Sequence, residues 1–116
     1  MHNFKKLDIW IKSMDLAGEI YLLTNSFPSI ERFGLISQMQ RSAVSIPSNI
    51  AEGSAKSSNK DFSRFLEMSI GSSFELETQL ILATKLNYLE SEVSISTQSK
   101  INELQKMIIG FKNKLD

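Results

Sequence analysis

Between Leu7 and Thr24 the charged residues Asp8, Lys12, Asp15 and Glu19 recur at +4, +3 and +4, and most other positions are apolar. That period is helical. It predicts a first helix from about Leu7 to about Thr24, ending ahead of Ser26-Phe27-Pro28 because the residue before a proline is pushed out of the α region. A helix in an isolated bundle hides only about half its circumference. This one is apolar over far more, through Ile9, Trp10, Ile11, Met14, Leu16, Ile20, Tyr21 and Leu22. The excess predicts a partner chain, with Ile9, Trp10, Ile11 and Leu22 as interface positions.

Three further helices follow from the pattern. The second is expected from near Ser29 to Glu52, with Glu31 in its first turn and Gly53 as a left-handed stop. Pro47 falls inside it and predicts a kink, with a break as the alternative. Ser58 reads as the N-cap of a third helix, roughly Asn59 to Tyr88, with Asp61 completing a capping-box variant. Its seam of Phe62, Leu66, Ser69, Ser73, Leu76, Leu80 and Ala83 alternates +4 and +3. The stretch Ser69-Ile70-Gly71-Ser72-Ser73 is rich in small residues and suits a close backbone approach. The fourth helix, about Val93 to Leu115, carries a heptad of Ile101, Leu104, Ile108, Phe111 and Leu115. No strand pattern competes. Short connections make the expected fold all-α: one antiparallel up-and-down four-helix bundle over residues 1–116.

Composition narrows the chemistry. The chain has 116 residues, no cysteine and one histidine. Disulfides, thiolate nucleophiles and cysteine-based metal sites are thereby excluded, and so are histidine-rich zinc sites; a serine nucleophile would have only the terminal His2 for a base. Glu75 and Glu77 diverge by about 200° on a helix and form no close carboxylate dyad. Lys56-Ser57 follows no strand and lacks the glycines of a phosphate loop. His2 is expected to fray with the terminus. The expectation is a protein with no enzymatic activity, cofactor, metal or small-molecule substrate. Asp8, Lys12 and Asp15 interrupt any leader-like apolar run, and nothing approaches a membrane span, so a cytoplasmic location is expected.

Thirteen Lys and Arg balance thirteen Asp and Glu, but their placement is uneven. In an up-down-up-down bundle one end gathers Lys5, Lys6, Lys56, Lys60, Arg64, Lys112 and Lys114 against Asp8, Glu52, Asp61 and Asp116. The opposite end is acidic. The basic end is the candidate surface for RNA, DNA or an acidic partner; the plainer reading is a solvated face whose charges suit the helix dipoles. Folding the second and third helices as a hairpin sets Gln38 and Arg41 near Glu75, a candidate polar network that would fix register.

Several segments together resemble a known family. They are Phe4-Lys5-Lys6-Leu7-Asp8-Ile9-Trp10, Glu31-Arg32-Phe33-Gly34-Leu35, Gly71-Ser72-Ser73-Phe74-Glu75-Leu76-Glu77 and, most specifically, Ala43-Val44-Ser45-Ile46-Pro47-Ser48-Asn49-Ile50-Ala51-Glu52-Gly53. The pattern is similar to bacterial four-helix bundle proteins encoded in intervening sequences of large-subunit ribosomal RNA genes. The resemblance implies a ring-like homopentamer. It also implies kinship with the accessory variability determinant of diversity-generating retroelements, which partners a reverse transcriptase and its RNA. That relative is strongly basic, whereas this chain is neutral and has Ser42 where a second arginine after Arg41 is common. The implied role is a homo-oligomeric scaffold assisting an RNA- or DNA-handling partner; the alternative is a weak, direct nucleic-acid binder.

Overall fold

The long apolar seam of the third helix organises the molecule. The computed structural model describes residues 2–116, with four α-helices and no strand among them. They are α1 (Asp8–Thr24), α2 (Leu35–Ser54), α3 (Asn59–Lys85) and α4 (Ser91–Leu115), with single 3-10 turns at Phe4–Lys6 and Ser29–Glu31. At 1.5 Å per residue, the 27 residues of α3 run about 40 Å, which sets the 44 Å long dimension of the molecule. All seven predicted seam residues of α3 are buried. Ile101, Leu104 and Ile108 of α4 join them in one core with Ile20, Met39, Ile46 and Ile50, while Phe111 and Leu115 are half-covered at its rim.

Hydrogen bonds between helices fix how each lies on its neighbour. Ser42 donates to Glu75 at 2.8 Å, Ser45 meets Ser72 at 2.8 Å, and Ser69 donates to the Ile46 carbonyl at 2.9 Å. Positions that rise along α2 therefore fall along α3. The same inversion holds between α3 and α4, where Thr84 meets Ser94 and Ser63 meets Asp116. The seam serines serve the close approach expected of them, but Gly71 does not: its face is open for 4 Å.

Besides α4 beginning at Ser91 rather than about Val93, the helix ends differ from the sequence reading at three places, each for a local reason. First, α2 begins at Leu35 rather than near Ser29. Pro28 leads into the short 3-10 turn, Gly34 is non-helical at φ −111° and ψ −112°, and the Glu31 carboxylate accepts the Leu35 N–H at 3.2 Å. Glu31 thus caps α2 from outside instead of sitting within its first turn. Second, α3 stops at Lys85, three residues early, because Asn87 adopts φ 62°. The Asn87 and Tyr88 N–H groups then donate to the Thr84 and Ala83 carbonyls, a left-handed cap in which asparagine stands where glycine is usual. Third, Gly53 is no stop. It lies inside α2, and no described glycine has a positive φ. Its role is close packing: a Cβ built there would lie 2.7 Å from the Phe65 Cβ and 2.9 Å from the Phe62 Cδ1.

Pro47 is buried within α2, which continues through it. A proline in this position deprives the Ala43 carbonyl of its helical donor. Around the same turn, Asn49 donates to the Ser45 carbonyl at 2.9 Å and Ser69 to that of Ile46.

Candidate functional site

The basic residues are carried to one end by the elements just described. Lys5 and Lys6 lie in the first 3-10 turn, which is tied to the end of α2 by the His2 N–H donating to the Ser54 carbonyl at 3.0 Å. Lys56 follows α2 directly, Lys60 and Arg64 occupy the first turns of α3, and Lys112 and Lys114 the last turn of α4. The Ser63–Asp116 hydrogen bond at 2.8 Å joins those last two elements.

The seven cations are not equivalent. Lys112 contacts Asp116 at 2.9 Å and Glu67 at 3.5 Å. The Asp116 hydrogen bond holds its ammonium above the usual lysine range, and in return Lys112 and then Ser63 hold the Asp116 carboxyl below its own. Lys112 is therefore a structural cation, compensated within the fold. The Lys56 ammonium sits over the Phe65 ring at 5.0 Å from its centroid and that of Lys5 over Phe4 at 6.0 Å, each a cation–π contact at the surface. Lys6, Lys60, Arg64 and Lys114 are exposed, and no carboxylate lies within 4 Å of them among the described residues. His2 is not frayed. Its exposed ring packs at 5.1 Å from Phe62 and 6.2 Å from Phe111.

The expected network of Gln38, Arg41 and Glu75 assembles differently. Glu75 takes its hydrogen bond from Ser42, and no ion pair joins it to Arg41 among the described residues. One residue is 100° of helix, so Ser42 faces α3 while Arg41 turns toward α1 beside Tyr21 and Val44; Gln38 is exposed. The network the structure does build centres on Glu77, which pattern reasoning had considered only as half of a dyad. Gln105 donates to its carboxylate at 2.8 Å and Asn102 at 3.2 Å, and Gln98 donates as well. These three amides sit at i, i+4 and i+7 on α4, a spacing visible in the sequence and overlooked there. Led by the Gln105 bond, they hold the Glu77 carboxyl below the usual range despite its partial burial.

The interface positions expected on α1 divide among three environments. Ile9 is a core residue, only 3% exposed. Trp10 is half-buried and, with Met14, Gly18 and Tyr21 from α1 and Val44 and Pro47 from α2, lines an apolar groove of about 400 Å³. Ile11 lies outside that groove and is exposed, as is Leu22 at the far end of the helix. The polar interruptions of α1 are also partly used inside the chain, since Glu19 pairs with Lys100 at 2.6 Å and Lys12 with Glu103 at 3.4 Å. No helix of the described residues is long and apolar enough to cross a membrane.

Comparison with known proteins agrees with this architecture. A solved structure, a protein of unknown function from the S23 ribosomal protein family of Bacteroides thetaiotaomicron, superposes with a TM-score of 0.80 at 26% identity, covering 90% of this chain and 97% of that one. Among curated proteins nothing matches. The family model described as 23S rRNA-intervening sequence protein matches residues 5–110, nearly the whole bundle, and the chain belongs to that family.

Proposed function

We propose that the protein is a non-enzymatic, cytoplasmic, homo-oligomeric scaffold accessory to an RNA- or DNA-handling partner such as a reverse transcriptase. Each copy is an antiparallel up-and-down bundle with α2 bent at Pro47, and five copies form a ring. The observation that carries this reading is the groove between α1 and α2. Met14, Tyr21 and Val44 are each left two-fifths to one-half exposed around Gly18, whose open face admits another backbone. Contiguous apolar surface of this kind marks an association site. Covering a handful of such side chains contributes roughly 1.5–3 kcal/mol each before the cost of association. Val44→Glu places a charge at the centre of the groove without touching the core. Light scattering should give a multiple of 13.1 kDa for the native chain, five-fold for a ring, and a lower mass for the variant. A stable 13.1 kDa native monomer at micromolar concentration refutes the scaffold.

A second reading, direct binding of nucleic acid, is favoured by one specific observation: Lys6, Lys60, Arg64 and Lys114 stand exposed at the same end, with no carboxylate within 4 Å among the described residues. Phosphates attract such cations without regard to sequence. Assembly in a ring would multiply a weak contact of this kind.

A further inference from the structure

The end opposite the cations carries an apolar surface separate from the α1–α2 groove. The four most exposed large apolar side chains among the described residues are Phe33 at 91%, Ile30 at 87%, Leu22 at 73% and Ile95 at 70%. All four belong to the end where the α1–α2 and α3–α4 connections lie. Between α1 and α4 at that end runs a groove of about 820 Å³, whose apolar wall is formed by Leu22, Leu23, Leu89 and Val93. Tyr88 lies in the same groove. Its hydroxyl donates to Glu31 at 2.8 Å and its ring packs 5.4 Å from Phe27, so the knuckle bearing Ile30 and Phe33 is fastened to the groove.

The rim is acidic. Glu90 and Glu92 are exposed, and no cation lies within 4 Å of either among the described residues. The one lysine of the groove, Lys100, is already held by Glu19 at 2.6 Å. A surface with an apolar floor and unanswered carboxylates repels phosphates and suits a segment that is cationic on its edges and apolar in its centre. A trough between two helices has the shape that accepts a third helix.

We infer that this groove docks a basic amphipathic helix of a different protein, and that it is the partner-binding end of the scaffold. A second copy of this chain does not supply such a segment from its own basic end. There Phe4 packs edge-to-face with Trp10, Phe65 lies under Lys56, and Phe62 is buried. The inference rests on the scaffold reading only in that a scaffold needs a partner; the docking groove and the α1–α2 groove are separate surfaces.

The test uses the full-length chain and two designed helical peptides of about 14 residues, four turns, one of Leu and Lys, the other of Leu and Glu in the same pattern. Fluorescence anisotropy reads affinity, amide-shift mapping reads location, and light scattering reads the mass of every variant. The Leu/Lys peptide should bind, with shifts concentrated at residues 19–26 and 88–100, and the Leu/Glu peptide should not. Glu90→Gln with Glu92→Gln should weaken binding tenfold or more, Leu22→Ser should do likewise, and Glu52→Gln at the opposite end should leave it unchanged. The charge variants alter only exposed side chains, so the test holds even if Leu22→Ser fails to fold. Equal binding of both peptides, shifts elsewhere, or unweakened binding by the Glu90/Glu92 variant overturns the inference. So does a fall in oligomer mass with Leu22→Ser without peptide binding by the native chain, which would make a second copy the occupant. A native oligomer that ignores the Leu/Lys peptide defeats the docking site and leaves the scaffold standing; a native monomer that binds it does the reverse.

Discussion

Replacing Gly53 by alanine tests the packing of α2 on α3 with a single carbon atom. Inside a helix the exchange is normally favourable, by about 1 kcal/mol, because alanine restricts the unfolded chain and suits the helix. Here the new Cβ would stand 2.7 Å from the Phe65 Cβ and 2.9 Å from the Phe62 ring. Neither neighbour yields easily. The Phe65 Cβ is one bond from the backbone, and Phe62 is 1% exposed and wedged between His2 and Phe111. Overpacking of this kind costs about 1–3 kcal/mol, and a contact with an atom that cannot rotate away belongs at the upper end. The net expectation is a loss of about 1–2 kcal/mol. Gly71→Ala supplies the internal control. It sits in the middle of α3 with nothing within 4 Å of its added Cβ, so the helix preference stands alone and stability should rise by about 0.5–1 kcal/mol. At this chain length each kcal/mol moves the melting temperature by about 3–6 °C, between the values for smaller and larger domains. Thermal and urea unfolding of both variants at one protein concentration, with oligomer mass checked, would show opposite shifts. Gly53→Ala melting at or above the native temperature refutes the close-approach argument.

Glu77→Ala removes the acceptor of three amides and strands the buried Gln105 Nε2, so denaturant unfolding should show a loss of about 1–3 kcal/mol. The Glu77 carboxyl is held below its ordinary value of 4.5 in the folded chain. Its contribution is therefore complete above the unfolded value and disappears as pH falls through the lower folded value. Stability measured against pH should fall more steeply below about 4.5 in the native chain than in Glu77→Ala, and parallel acid limbs would contradict the network. At the basic end, Lys60→Gln with Arg64→Gln should weaken any binding to RNA or DNA about equally for every sequence and flatten its salt dependence, without changing oligomer mass. Filter binding in about 50 mM salt checks this, and native protein that binds neither structured RNA nor duplex DNA there eliminates the direct-binder reading. Lys112→Gln should matter less for such binding than Lys60→Gln, because its charge is already answered by Asp116 and Glu67.

What the amino-acid sequence determined by itself was the part governed by local period and local chemistry. Four helices, the seam of α3, and the Ser58 cap accepting the Asp61 N–H all follow from spacing that needs no knowledge of neighbours. Helix ends were less legible, because Glu31 and Asn87 act through a side-chain cap and a left-handed backbone that other residues also reach. The tertiary structure alone decided which polar groups meet. A turn of 100° per residue separates Arg41 from Ser42, so the partner of Glu75 depends on the rotation of α2 about its own axis, which packing sets. It likewise decided that Ile9 lies in the core while Leu22, on the same helix, stands exposed above an acidic groove. Both are apolar residues on one apolar helix; only the packing of α1 against its neighbours distinguishes the side that is covered from the side left exposed.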